Sequence, residues 1–341
     1  MPTSSPHTNT AATPSMSAQE RLDRYGDRTG AGSPMQTLMR DASAFYAAMP
    51  ILINLVLSEA GGRGVQEHDR VVNLANRDNV PFEDFVGRFI DTADLVAGLA
   101  LTTGKQRVLI AETLREIHRH VEGTLDNGDR YHAWNRDLWA WSWAGIIMPV
   151  LQAYEQLHGP QSPEFLEDAY IGALQLGDMI GIRGLPDTYA GGLEYWKNQW
   201  LPLAVAPGTG KFLLSLAYDV PLPAGASWIP KPVWNATLWP VRNLMRTSAF
   251  LLLEPQIQHL LGMRATRTQQ LSIHMHRMIW RTAPRTLFRN LFGLFMDIRL
   301  RHGNNSWDRH YSPQALADYH QQVKDARGQG RPQPPRPSKR H

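Results

Sequence analysis

The chain of 341 residues contains no cysteine. That single absence excludes disulfides, thiolate nucleophiles, cysteine-ligated zinc, iron–sulfur clusters, thiolate-ligated haem and covalent c-type haem. The 13 histidines are then the strong neutral metal ligands that remain. Charge is sparse too, at 19% against 43% hydrophobic residues, the composition of a globular protein. The length suffices to bury a sizeable core. Net positive charge is confined to one end. The formal net charge is +4, but Lys324, Arg327, Arg331, Arg336, Lys339 and Arg340 face only Asp325 between Lys324 and His341, so the remainder is close to neutral. A body without net positive charge is a poor nucleic-acid binder, and no nucleic-acid partner is expected.

Long apolar runs are also missing. The longest uncharged stretch, Ala42 to Ser58, contains Pro50 and Asn54 and reads as a buried helix with a break rather than a membrane span. Met1 to Gln19 is rich in Ser, Thr, Pro and Ala without an apolar signal core. A soluble, cytoplasmic protein is expected, with peripheral contact at a membrane surface left open. The phosphate-binding, nucleophile-elbow and dinucleotide fingerprints do not occur, which argues against P-loop, α/β-hydrolase and Rossmann architectures.

What is there is helical. Residues 1–34 and 324–341 have the composition of disordered tails, although Ala18 to Tyr25 could form a short helix. Between them, residues 35–323 form one all-α domain. The apolar periodicity predicts helices at Met35–Leu57, Pro81–Leu101, Lys105–Gly123, Arg136–His158, Pro163–Gly181, Thr188–Trp200, Gly208–Tyr218, Trp234–Glu254, Thr266–Arg281, Leu287–Arg301 and Pro313–Ala326. No alternating run marks a strand, and there is no internal repeat.

Two helices place polar groups on or beside apolar faces, where burial is costly without partners. In the helix through Phe85, Phe89, Ala93 and Val96, Thr92 falls within the apolar face and Arg88 lies one turn before it. Thr92 bonding a carbonyl one turn back, with Arg88 reaching solvent, is the structural alternative. In the next helix His118 sits on the shoulder of the stripe Ile110, Leu114, Ile117 and Val121, with Arg115 one turn earlier. A satisfied structural histidine is the alternative there.

Taken together, Arg88-x3-Thr92, then Arg115-x2-His118-x2-Val121-x-Gly123, then Tyr131-x-Ala133 and a Trp-containing helix resemble the MpaB/rubber-oxygenase (latex clearing protein) catalytic-domain family. The resemblance covers roughly Ile51 to Trp200. It implies a globin-like helical core with additional helices, holding haem b (iron) with His118 as axial metal ligand. It further implies Arg88 and Thr92 as the catalytic pair over the iron, and Arg115 as a supporting residue at the cofactor. An apolar, olefinic or isoprenoid-like small molecule and dioxygen would be the reactants. A distal Arg steadies an oxygen anion by a charge-assisted hydrogen bond, and Thr positions a proton. Trp143 stands where many members carry a histidine, and as the residue in that place it is assigned to the cofactor pocket. Asp91 stands where rubber-cleaving members carry a lysine, so polyisoprene is not expected as substrate.

Two other readings stay open. One is a protein that binds haem or a lipid-like ligand without turnover. The other is a non-haem metalloenzyme using His118, His120 and Glu116. A carboxylate di-iron bundle needs two Glu-x-x-His motifs, and Glu155-Gln-Leu-His158 provides one. His274 and His276 point to different sides of their helix. The segment from Arg285 to Met296 is basic and amphipathic, suited to a core helix or to a bilayer surface.

Overall fold

Asp41 divides what the sequence reads as one helix. Its backbone ends α2 (Pro34–Arg40) and its carboxylate accepts the Ser43 N–H at 2.8 Å as α3 (Ser43–Asn54) begins. The computed structural model describes residues 16–69, 82–226 and 228–301, with Asp318, Gln321, Lys324 and Asp325. The expected helix Pro313–Ala326 and the C-terminal tail lie outside these residues, apart from those four positions. Pro50 is accommodated inside α3, which is buried on almost every residue and packs against α7, α11 and α13.

The fold is all-α, a single helical domain with one small hairpin. In chain order the helices are α1 (Ala18–Tyr25), α2, α3, α4 (Glu59–His68), α5 (Phe82–Leu101) and α6 (Gly104–His118). A hairpin of β1 (Glu122–Thr124) and β2 (Arg130–His132) follows, with Gly123 opposite Tyr131. Then come α7 (Arg136–His158), α8 (Pro163–Met179), α9 (Tyr189–Tyr195), a π-helical turn at Trp196–Trp200, α10 (Leu201–Leu203) and α11 (Pro207–Tyr218). The last group is α12 (Lys231–Thr237), α13 (Trp239–Leu252), α14 (Pro255–Leu260), α15 (Arg267–Thr282), α16 (Arg285–Phe288) and α17 (Leu291–Arg301). Ends follow ordinary chemistry: Asn135 accepts the N–H groups of Asp137 and Leu138 to open α7, and Gly159 at φ 89° closes it.

Several boundaries differ from expectation. The helix expected over Lys105–Gly123 stops at His118, and the strands were not foreseen at all, because three-residue strands are too short to show alternation. The helix expected over Leu287–Arg301 breaks at Asn290, whose φ is 66°. No single helix among the described residues is long and apolar enough to cross a membrane; the pair α3 and α4 passes on length and composition but is bent by 96°.

The N-terminal segment assigned to a tail on composition is anchored from residue 16 onward. The buried guanidinium of Arg21 pairs with Asp178 at 2.5 Å and Asp187 at 2.6 Å. Gln175 bonds both the Arg28 N–H and the Gly26 carbonyl, and Arg107 donates to Thr29 at 2.6 Å. Composition counts apolar surface and so misses anchoring by ion pairs. Burial alone would lower the pKa of Arg21, but the two carboxylates hold it above its ordinary value. Arg21→Met should destabilise the protein by about 3 kcal/mol, since it removes the cation beside Asp187 and leaves Asp178 with Arg183 alone. Deletion of residues 1–34 should do at least as much, read as a fall in the urea midpoint.

Candidate active site

The loop between α5 and α6 sets the site. Gly104 takes a φ of 56°, a conformation glycine adopts without strain, and lets α6 turn back against α5. Arg88 and His118 then stand at nearly equal distances from the turn, roughly 21–23 Å along each helix at 1.5 Å per residue.

On α5 the Thr92 hydroxyl donates to the Arg88 carbonyl at 3.0 Å, as in the structural alternative. Arg88 is only partly exposed. Its guanidinium donates to the Thr92 hydroxyl and to the carboxylate of Asp69, which caps α4. A cation and a hydroxyl are thereby fixed as a unit, with Asp69 as the charge that holds them. Nothing in the sequence pointed to Asp69, which is separated from α5 by an intervening segment.

Asp91 is turned to another task. It is buried, and with Asp94 it faces Arg299 of α17, which donates to both Asp94 oxygens at 2.6 and 2.5 Å. Those bonds raise the pKa of Arg299 against the effect of burial. The carboxylate that docks α17 is therefore Asp94, with Asp91 adding negative charge nearby.

At the end of α6, His118 Nδ1 lies 2.7 Å from the Leu114 carbonyl, so Nδ1 carries the proton and the lone pair of the neutral ring is on Nε2. The ring meets Trp139 of α7, centroid to centroid 4.8 Å and tilted by 55°. Trp139 is held by its indole N–H on the Ile180 carbonyl. The tryptophan beside His118 is thus Trp139, one turn before Trp143 on the same helix.

The other two expected cofactor residues are placed differently. Arg115 is exposed, with its guanidinium 5.7 Å from the centre of the Trp134 ring. Trp143 is buried between α7 and α8, donating to the Ala173 carbonyl at 3.0 Å and lying against Gly177, where an added Cβ would come within 2.8 Å of its indole nitrogen. His120 falls on the turn after α6, so it does not share the helical face assumed for it. Among the described residues no three His, Asp or Glu side chains converge to hold a metal ion, and Glu116 is paired with Arg119. Surface clefts of about 430 and 220 Å³ lie elsewhere; neither is lined by Arg88, Thr92 or His118.

The remaining motif residues build the support. After His118 the chain turns, with the Val121 N–H on the His118 carbonyl and the Ala133 N–H on the Val121 carbonyl. Tyr131 lies so close to Gly123 that a Cβ there would be 2.6 Å from its hydroxyl and 2.6 Å from Glu67. Tyr131 donates to Glu67, which Arg63 also bonds, both at 2.5 Å. Gly64 of α4 gives room for Tyr131 and Val121. The conserved-looking spacing Val-x-Gly and Tyr-x-Ala is therefore the packing of a hairpin onto α4. Burial would raise the pKa of Glu67, but the Tyr131 and Arg63 hydrogen bonds outweigh it and leave it lowered. Its contribution to stability is thus present above the ordinary glutamate range and is lost as pH falls through the lowered value.

Gly123→Ala should cost about 1–3 kcal/mol by overpacking, and more at neutral pH than in acid, where the Glu67 contact is already weakened. Urea midpoints of the two proteins across pH measure it; equal midpoints would show that the hairpin yields freely.

Residues 35–285 match a family model described as ER-bound oxygenase mpaB/B'/Rubber oxygenase, catalytic domain. No curated protein and no solved structure matches the chain. The matched span runs from α2 to the start of α16, well over half of the molecule, and includes every motif residue above. An enzyme of this kind is an oxidoreductase that brings dioxygen to a small-molecule substrate, and the chain belongs to the mpaB/rubber oxygenase catalytic-domain family.

Proposed function

We propose that the chain is a haem b-dependent oxygenase acting on an apolar, olefinic or isoprenoid-like molecule, by oxidative C=C cleavage or a related oxygen insertion. The observation that carries the reading is the His118 ring. Its Nδ1–H is committed to a backbone carbonyl, the arrangement by which metal-ligating histidines are oriented, and Nε2 is left as the basic nitrogen. That donor chemistry fits axial ligation of haem iron by one imidazole. Haem, when bound, supplies the activation of dioxygen.

The protein's own residues have narrower roles. His118 would hold the iron, with Trp139 limiting rotation of the ring. Arg88 and Thr92 would offer a fixed cation and a hydroxyl proton to negative charge developing on oxygen, in a geometry already set by Asp69. Arg88 need not reorganise when charge appears, which is where such donors gain their effect. An apolar substrate suits action in the cytoplasm at the edge of a lipid phase, and the chain's peripheral contact with a membrane belongs to this reading.

One observation favours a second reading, in which haem or a lipid-like ligand is bound without turnover. Trp143, in the place of a family histidine, spends its only polar group on packing α7 to α8 and has none to offer a reaction. Oxygen uptake with substrate, in protein showing a Soret band, separates the two.

His118→Ala should yield mainly haem-free or spectrally altered protein, while His120→Ala keeps the wild-type Soret position. The reverse outcome would move the ligand to His120, and wild type that stays haem-free after expression with ample haem would end the haem reading. Thr92→Val, nearly isosteric, should leave haem content intact and slow oxygen uptake roughly tenfold to a hundredfold, the usual scale for a positioned proton donor. Unchanged uptake would make the Arg88–Thr92 pair structural.

A further inference from the structure

Helix α15 divides its apolar residues between two sides. Inward, Trp280 and Ile273 join the core beside a polar row: Gln269 bonds Thr247, Ser272 bonds Thr247 and Asn243, and His276 bonds the Tyr46 hydroxyl at 2.6 Å and Asn243 at 3.2 Å. Outward, an apolar row lies among polar side chains. Leu271 is 58% exposed, and Met275, Met278 and Ile279 are exposed beside it. These four recur at i, i+4, i+7 and i+8, which is one continuous helical face.

The next helix touches α15 from the inside: Phe288 of α16 stacks on the buried Trp280 at 4.1 Å. Beyond them Leu287, Leu291, Leu294 and Ile298 are all exposed, Leu287 by 64%. Single exposed apolar side chains need no explanation, but a run over three consecutive helices marks an interaction surface.

Its charge selects the occupant. From Pro255 to Met296 there is no Asp or Glu, while there are six arginines. Five of them, Arg264, Arg267, Arg281, Arg285 and Arg289, are exposed, and among the described residues none has a carboxylate within ion-pairing distance. A second copy docked face to face would set five arginines against five, and the acid of α17 on this face, Asp297, is already paired with Arg40. An anionic bilayer supplies both requirements: acyl chains for the apolar ridge and phosphate charge for the arginines around it.

We propose that the outward face of α15 through α17 is a docking surface for an anionic lipid bilayer, which would seat the enzyme at the membrane without a spanning helix. The inference deepens the apolar-substrate reading, yet its support is the surface itself. Lipid binding and haem loading are measured separately, so either can fail alone.

The test is co-sedimentation of the full-length protein with phosphatidylcholine vesicles, with and without phosphatidylglycerol, at low and high salt. Wild type should bind the anionic vesicles at low salt, and release should follow added salt. Met275→Asp with Ile279→Asp should lower the bound fraction about tenfold or more while leaving the Soret band and melting temperature unchanged. Arg281→Gln and Arg285→Gln should each weaken binding roughly fivefold. Absence of wild-type binding overturns the proposal. So does binding that survives the aspartate pair, which would assign it to the basic C-terminal segment. A dimer in light scattering that the aspartate pair dissolves would give the face to a second copy instead.

Discussion

The contact between Tyr131 and Gly123 is what fixes the end of α6, and with it His118. A helix end frays unless its last carbonyls and the chain that follows are constrained. Here the chain leaves His118 through a turn, passes into β1, and is pressed by the Tyr131 ring from β2 against α4. Glycine at 123 is required because any side chain would occupy the space of the Tyr131 hydroxyl and the Glu67 carboxylate. The imidazole therefore sits on the last residue of a helix whose exit is clamped, with its Nδ1 bond one turn back and Trp139 at its side. A candidate ligand is held by the hairpin, not only by the helix that carries it.

Peripheral helices are tied to this frame by charge pairs. Arg21 ties α1 to α8 and to Asp187, Arg299 ties α17 to α5, and Arg40 meets Asp297 at 2.5 Å. His158 at the end of α7 bonds the buried Asp41 between α2 and α3 at 3.0 Å. Such pairs pay a desolvation cost close to their attraction, so they add little net stability, but losing one partner is severe. Their effect is to specify where a helix docks. On α5 this divides the helix into two working sides. Arg88 and Thr92 are tied to each other and to Asp69, and Asp94 is tied to Arg299.

Elements with strong periodicity and ordinary caps were legible before any coordinates. α7 runs from Arg136 to His158 as read, and the motif that marked the family falls within the matched span. What could not be read depended on contacts distant in sequence. α4 was missed because Glu59-Ala-Gly-Gly-Arg-Gly has low helix propensity, and its glycines make sense only when Tyr131 and Val121 pack against Gly64. Asp69 was invisible as the partner of Arg88 because nothing local joins them. Trp143 and Trp139 could not be told apart by spacing, since one turn of helix separates them and only their neighbours differ: α8 for the first, His118 for the second.

Periodicity also carries an ambiguity that α15 brings into the open. An amphipathic pattern gives the angle between two faces of a helix but does not say which one meets the core. The usual assumption is that the apolar one does, because burying it is favourable. In α15 a polar row lies inside beside Trp280 and Ile273, and it can, because α3 and α13 offer it partners: Tyr46 to His276, Asn243 to His276 and Ser272, and Thr247 to Gln269. Burial lowers the pKa of His276, which keeps the ring neutral and able to accept on one side while donating on the other. With the polar row satisfied within the protein, an apolar row is left outward, and water is the poorest environment for it. The arrangement thus needs two environments at once, a polar interior on one side and a non-aqueous exterior on the other, and the first of these is already built.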